Sequence, residues 1–163
     1  MKLAGVRVLD LSLFLPGPHL SQLMADHGAE VIKLEPPAGD DYRHIGPFLH
    51  GESALFTLMN RGKRSVVLDL KDPAAQATAR KIALQCDVIV ENFRPGVAAR
   101  LGLGADLREE KPSLIYASIS GFGQSGPSAH LPAYDLVAQA LSGLMAANGE
   151  DGNGAVEAKV AAE

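Results

Sequence analysis

The run Val88-Ile89-Val90, bounded by Asp87 and Glu91, constrains this chain more than any other short stretch. Three consecutive aliphatic residues, with neither helical spacing nor alternation, mark a strand covered on both faces. Such a strand needs helices above and below it, and the rest of the sequence supplies them. Further strand-like runs fall at residues 6–11, 30–34, 65–70 and 114–118, and helix-like segments at 17–27, 52–60, 72–85, 96–101, 106–111 and 134–146 separate or follow them. This alternation predicts an α/β fold: a doubly wound, Rossmann-like, mostly parallel sheet with helices on both faces and right-handed crossovers. Ligands bind beyond the carboxyl ends of strands in such sheets, so Asn92-Phe-Arg-Pro-Gly96 is a candidate binding loop. As local pattern, it fits an ordinary strand-to-helix turn at least as well.

Finer signals place the helix ends. Asp72 and Pro73 read as the N-cap and first turn of a helix running to about Gln85, and Gly28 reads as a helix C-cap. Leu20, Leu23 and Met24 form the apolar stripe expected to bury the first helix. Residues 35–51 are rich in Pro, Gly and Asp and show no period, which marks a long functional or mobile loop. A second Gly/Ser/Pro loop covers 121–132, and beyond Asn148 a Gly-rich stretch reads as flexible.

Several function classes drop out. Net charge is −4 and no Lys/Arg block occurs, so neither a nucleic-acid surface nor an anionic membrane is expected as a partner. The single cysteine, Cys86, cannot form an internal disulfide, and with no export signal or membrane-length run the expected setting is cytoplasmic. The five histidines lack ligand spacing, so no metal is expected. Residues 12–18 follow the first strand without Gly-x-Gly-x-x-Gly, which argues against a dinucleotide site. Gly17-Pro18 still opens a helix whose amides suit either a plain turn or an anion.

Read together and in order, the segments say more. They are Leu9-Asp-Leu-Ser with Pro16-Gly-Pro, Ala25-Asp-His-Gly-Ala-Glu-Val-Ile-Lys-Leu-Glu35, Gly39-Asp-Asp-Tyr-Arg43 and Asn60-Arg-Gly-Lys-Arg-Ser65 with Leu68-Asp-Leu-Lys71. Val90-Glu-Asn-Phe-Arg-Pro-Gly96, Arg100-Leu-Gly-Leu-Gly104 and Ser118-Ile-Ser-Gly-Phe-Gly-Gln-Ser-Gly-Pro127 complete the series. In this order and spacing they closely resemble the class III CoA-transferase family, of formyl-CoA and carnitine CoA-transferase type, which includes α-methylacyl-CoA racemases.

The resemblance implies a cradle for coenzyme A, bound as a substrate, with no permanently held cofactor. By match to the family motifs, Leu15 and Pro16 line the CoA chain, Leu68 and Lys71 lie beside the adenine and nucleotide phosphates, and Asn92 and Phe93 hold the pantetheine arm. Arg100 and Leu101 match a further phosphate and adenine contact, and Tyr134 a substrate-facing position. Where many members carry a basic residue after the carboxylate that ends the second strand, Glu35 is followed here by Pro36-Pro37, which leaves Arg43 as the open replacement.

The implied reaction moves CoA between a thioester and a free carboxylic acid, through an enzyme-bound acyl anhydride formed by a family aspartate. Glu163 falls at that aspartate's position when Asp151-Gly152 is aligned with the preceding turn. Residues 1–148 are then the CoA-binding part of an incomplete large domain, and 149–163 the turn and truncated segment leading to the catalytic position. Partners implied are acyl-CoA, a carboxylic acid acceptor and a second copy in an interlocked homodimer. Two alternatives stand beside the transferase: a CoA-binding or dimerisation module without chemistry, and a racemase-like activity. Racemase relatives have histidine where this chain has Tyr134, which favours transfer, whereas Pro16-Gly-Pro-His19 looks racemase-like.

Overall fold

The computed structural model describes residues 1–148 of the chain. In chain order the elements are β1 (Arg7–Asp10), α1 (Pro16–Asp26), β2 (Glu30–Glu35), a 3-10 turn (Asp41–His44), β3 (Phe48–Leu49), β4 (Glu52–Ser53) and α2 (Ala54–Asn60). They continue with β5 (Arg64–Val67), α3 (Pro73–Gln85), β6 (Val88–Glu91), α4 (Val97–Arg100), α5 (Leu107–Glu110), β7 (Ile115–Ser118), α6 (Asp135–Ser142) and α7 (Leu144–Ala147). Two compact units result, Met1–Ile119 and another from Ser120 onward.

The first unit holds a parallel five-stranded sheet of order β5-β2-β1-β6-β7. This is the doubly wound α/β fold expected from the alternation of runs. Register follows the pleat: Val8 pairs with Val88, Leu9 with Ile89 and Asp10 with Val90. Because strand side chains alternate between faces, Leu9 and Ile89 join Ala79 and Ala83 of α3 in one core cluster. Val8, Val31, Val88 and Val90 form the other, against Met24 and Ala25 of α1. By the same alternation Asp10 lies on the α1 side, where a carboxylate has to find partners.

Four expectations are corrected. In α1 the buried residues are Gly17, Pro18, Ser21 and Gln22, whereas Leu20 and Leu23 are 37% and 43% exposed. The small and polar face turns inward because Ser21 donates to the buried Asp10 carboxylate, at 2.6 Å. The 35–51 loop contains ordered structure too short to show a period, namely the 3-10 turn, capped by Asp40 accepting from the Tyr42 amide at 2.8 Å, and β3, which pairs with β4 just beyond it. The third strand ends at Val67 and not at Leu70. The helix read over 134–146 is split by Gly143, whose φ of 79° is left-handed and stops α6. The α3 signals hold as read, since Asp72 accepts from the Ala74 amide at 3.0 Å and Pro73 sits in the first turn. Cys86 is buried, and burial pushes its thiol up to about 11, which suits a small apolar filler.

Candidate functional site

Strand order reverses between β1 and β6, so the crevice of this sheet opens where those two strands end. Their ladder continues one step past β1, with the Leu11 amide donating to the Val90 carbonyl at 2.9 Å. A side chain then takes over from the backbone. The Leu13 N–H donates to Asn92 Oδ1 at 2.8 Å, and Asn92 Nδ2 donates to the Leu13 carbonyl at 2.7 Å.

Beside this staple is a slot of about 240 Å³. Leu11 and Leu13 line it from the end of β1, Leu34 and Pro36 from β2, Phe93 from the loop after β6 and Leu101 from the end of α4. The remaining side is the stretch Leu68 to Lys71, which leaves the sheet as β5 ends. A slot that is leucine-rich inside and carries Lys71 and Asp69 at its polar positions suits a flat or extended apolar group joined to an anion.

On the α1 side of the sheet, charges are buried in pairs. The Asp10 carboxylate accepts from Lys63 Nζ at 2.8 Å, from the Ser21 hydroxyl at 2.6 Å and from the Ser12 amide at 2.9 Å, and the Ser12 hydroxyl also donates to it. Burial alone would raise the Asp10 carboxyl, but Lys33 and Lys63 outweigh it and hold the group below the usual carboxylate value. Lys63 completes its donors on the Pro18 carbonyl and Asn60 Oδ1, and burial draws its ammonium below the usual lysine value. Lys33 donates to the Ser12 carbonyl at 2.9 Å and pairs with Asp40 at 2.7 Å. These ties fix the loop after β1 and the loop after β2 to the same sheet edge.

Of the residues implied by motif, Leu68, Lys71, Phe93 and Leu101 converge on the slot. Asn92 borders it with both ends of its carboxamide committed to Leu13. Leu15 is the N-cap of α1 and Pro16 its exposed first residue, neither of them lining the slot. Arg100 is exposed in the last turn of α4, its guanidinium near Gly96. Arg43 is engaged elsewhere: it binds Glu35 at 2.7 Å through two nitrogens and lies over the Phe56 ring, 3.7 Å from its centroid. Tyr134 caps α6 in the second unit and is 72% exposed. Glu163 lies outside the described residues. Sequence reasoning passed over Leu11, Leu13 and the Asp10–Lys33–Lys63 cluster. The signal for the cluster was the pair of charges set among the aliphatic residues of β1 and β2, at Asp10 and Lys33.

A parallel sheet with an apolar slot at its switch point defines a Rossmann-like α/β domain. Within that class the chain belongs to CoA-transferase family III, whose family model matches residues 3–162. It is 50% identical over 147 residues to an acetyl-CoA:oxalate CoA-transferase of Acetobacter aceti, covering 89% of this chain and 38% of that protein. It is 47% identical over 155 residues to a succinyl-CoA:glutarate CoA-transferase of Mus musculus, covering 93% and 36%. The crystal structure of a CAIB/BAIF family protein from Brucella suis superposes with a TM-score of 0.91 at 37% identity, covering 98% of this chain and 44% of that one. The chain thus spans well under half the length of these relatives.

Proposed function

We propose that this chain forms the CoA-binding part of an acyl-CoA:carboxylate CoA-transferase. The observation that carries the reading is the convergence of Leu68, Lys71, Phe93 and Leu101, brought from three separate loops, on one slot beside the sheet's switch point. Apolar walls suit the adenine and the pantetheine arm, and an exposed lysine at the rim suits a phosphate. The bidentate pair with Glu35 argues against Arg43 in the phosphate role, because releasing it would leave the buried Glu35 carboxylate without its charged partner. Lys71 and Arg100 are the cations left for that role.

In the transfer, a carboxylate attacks the thioester carbonyl and expels CoA thiolate, giving an acyl anhydride on the protein. The thiolate then attacks the protein-side carbonyl of that anhydride and releases the donor's carboxylate, which leaves a thioester on the protein. The acceptor carboxylate repeats the sequence in reverse and leaves as the new acyl-CoA. A carboxylate is a weak nucleophile, so the step depends on positioning, and Glu163 is assigned to it by sequence match. The relatives named for oxalate and glutarate support a short dicarboxylate as acceptor. A homodimer in the cytoplasm is part of this reading, and among the described residues no helix is long and apolar enough to cross a membrane.

Titration calorimetry with CoA, followed by incubation with acyl-CoA and borohydride, tests the proposal. CoA binding with a reduced carboxylate adduct supports it; binding without an adduct leaves the CoA-binding module. Absence of CoA binding sinks both.

A further inference from the structure

Asn92 was expected to hold the ligand's pantetheine arm, yet its carboxamide faces the protein. A primary amide side chain has the same acceptor and donor as a peptide group, and here it replaces one. The β1–β6 ladder ends at Leu11 and Val90, and the next bonds across the gap are the two between Asn92 and the Leu13 backbone, 79 residues apart in sequence. Leu13 and Phe93, the neighbours in chain and space of this staple, both line the slot. Immediately after Leu13 the chain turns through Phe14, whose φ of 61° is left-handed, and the Phe14 ring meets Tyr42 edge-on at 5.7 Å. The staple is thus the last ordered tie before a sharp turn that non-glycine residues rarely adopt. Gly17 packs under it: a Cβ there would lie 3.7 Å from Asn92 Cγ.

We propose that Asn92 is a positioning residue, whose carboxamide holds the Leu13 backbone so that Leu13 and Phe93 form one wall of the slot and does not itself hydrogen-bond to the ligand. The proposal rests on the CoA reading above. It differs from a direct contact in what it predicts for partial ligands. A wall held by the staple serves every ligand that enters the slot, whereas a hydrogen bond to pantetheine serves only ligands that have pantetheine.

The experiment compares CoA with adenosine 3′,5′-bisphosphate, its nucleotide portion less one phosphate, by calorimetry on the wild-type chain and the Asn92→Ala variant, under conditions where both are folded. Losing two hydrogen bonds at the wall is expected to weaken both ligands by the same factor, roughly tenfold, on the usual worth of such bonds. Hydrogen exchange at the Leu13 amide is expected to quicken in parallel. Asn92→Asp has the same shape but sets an oxygen against the Leu13 carbonyl; it serves if the alanine variant does not fold, with the same expectation. A loss confined to CoA, with the bisphosphate unaffected, would overturn the proposal in favour of a direct contact. Unchanged binding of both ligands, or an unchanged Leu13 exchange rate, would overturn it as well. Failure of the wild-type chain to bind either ligand would instead sink the CoA reading, while the Leu13 exchange rate would still report on the staple.

Discussion

The Glu35 carboxylate and the Arg43 guanidinium meet through two hydrogen bonds of 2.7 Å each, the acid buried at the end of β2 and the base lying over Phe56. The pair ties the 3-10 turn back to the sheet, and the Ser65 hydroxyl and Asp40 amide donate to the same carboxylate. A loop that reads as irregular is therefore anchored near its start by one acid.

That acid sets an acid-stability limit. Burial would raise Glu35, but Arg43, Ser65 and the Asp40 amide prevail and bring it from 4.5 down to about 2. A folded value below the unfolded one contributes stability that is fully present above the unfolded value and is lost as pH falls through the folded one. Denaturant melts taken downward from pH 4.5 towards 2 should show this loss, and Glu35→Gln should flatten the fall over that window. An equally steep fall in the variant would assign the acid sensitivity to other groups.

Lys63→Met should be among the most damaging single changes. Asp10 would keep its hydroxyl and amide donors but lose its bonded cation inside the fold, a situation that costs about 3 to 5 kcal/mol. The double variant Asp10→Asn, Lys63→Met, which removes both charges, should recover a large share of that loss. Urea midpoints of the three proteins would show whether it does.

Gly17 offers a test of packing at the crevice. A Cβ at this position would fall 2.2 Å from Ser12 Cβ and 2.4 Å from its hydroxyl oxygen, so Gly17→Ala must displace Ser12 from Asp10. Overpacking of this sort costs about 1 to 3 kcal/mol. Ser12→Gly in the same chain clears the space, and a double-mutant cycle by thermal melting should give a positive rescue.

For ligand binding, Lys71→Ala is the least invasive probe, since Lys71 is exposed and its loss should leave the melting temperature unchanged. CoA affinity should fall several-fold and become less sensitive to added salt, as one exposed cation facing a phosphate contributes about 1 kcal/mol and is screened. A Lys71→Ala chain with unaltered affinity and salt dependence would remove this lysine from the phosphate site.

How much of this was legible depended on whether each signal was local. The five strands of the parallel sheet, their order along the chain and the α3 cap could be read because aliphatic runs and an Asp-Pro pair act over a few residues. Leu68, Lys71, Phe93 and Leu101 could be placed together only through the motif resemblance, since nothing in composition says that loops after β5, β6 and α4 meet. The inward face of α1 was misjudged for a physical reason. Leu20 and Leu23 announce an apolar stripe, but that helix packs on the end of the central strand, which carries Asp10 and selects Ser21 instead. The role of Asn92 was not legible at all, because its partner is a backbone group distant in sequence.

Both bonds of the Asn92 staple end on main-chain atoms of residue 13. Position 13 can therefore change its side chain without loosening the loop, proline excepted, since proline has no N–H to give. Position 92 has no such freedom, because few side chains offer an acceptor and a donor so close to the backbone. Variation that reshapes the pocket for a different ligand is thereby directed to one side of the crevice while the other is kept invariant, and a saturation library of the two positions would show that asymmetry directly.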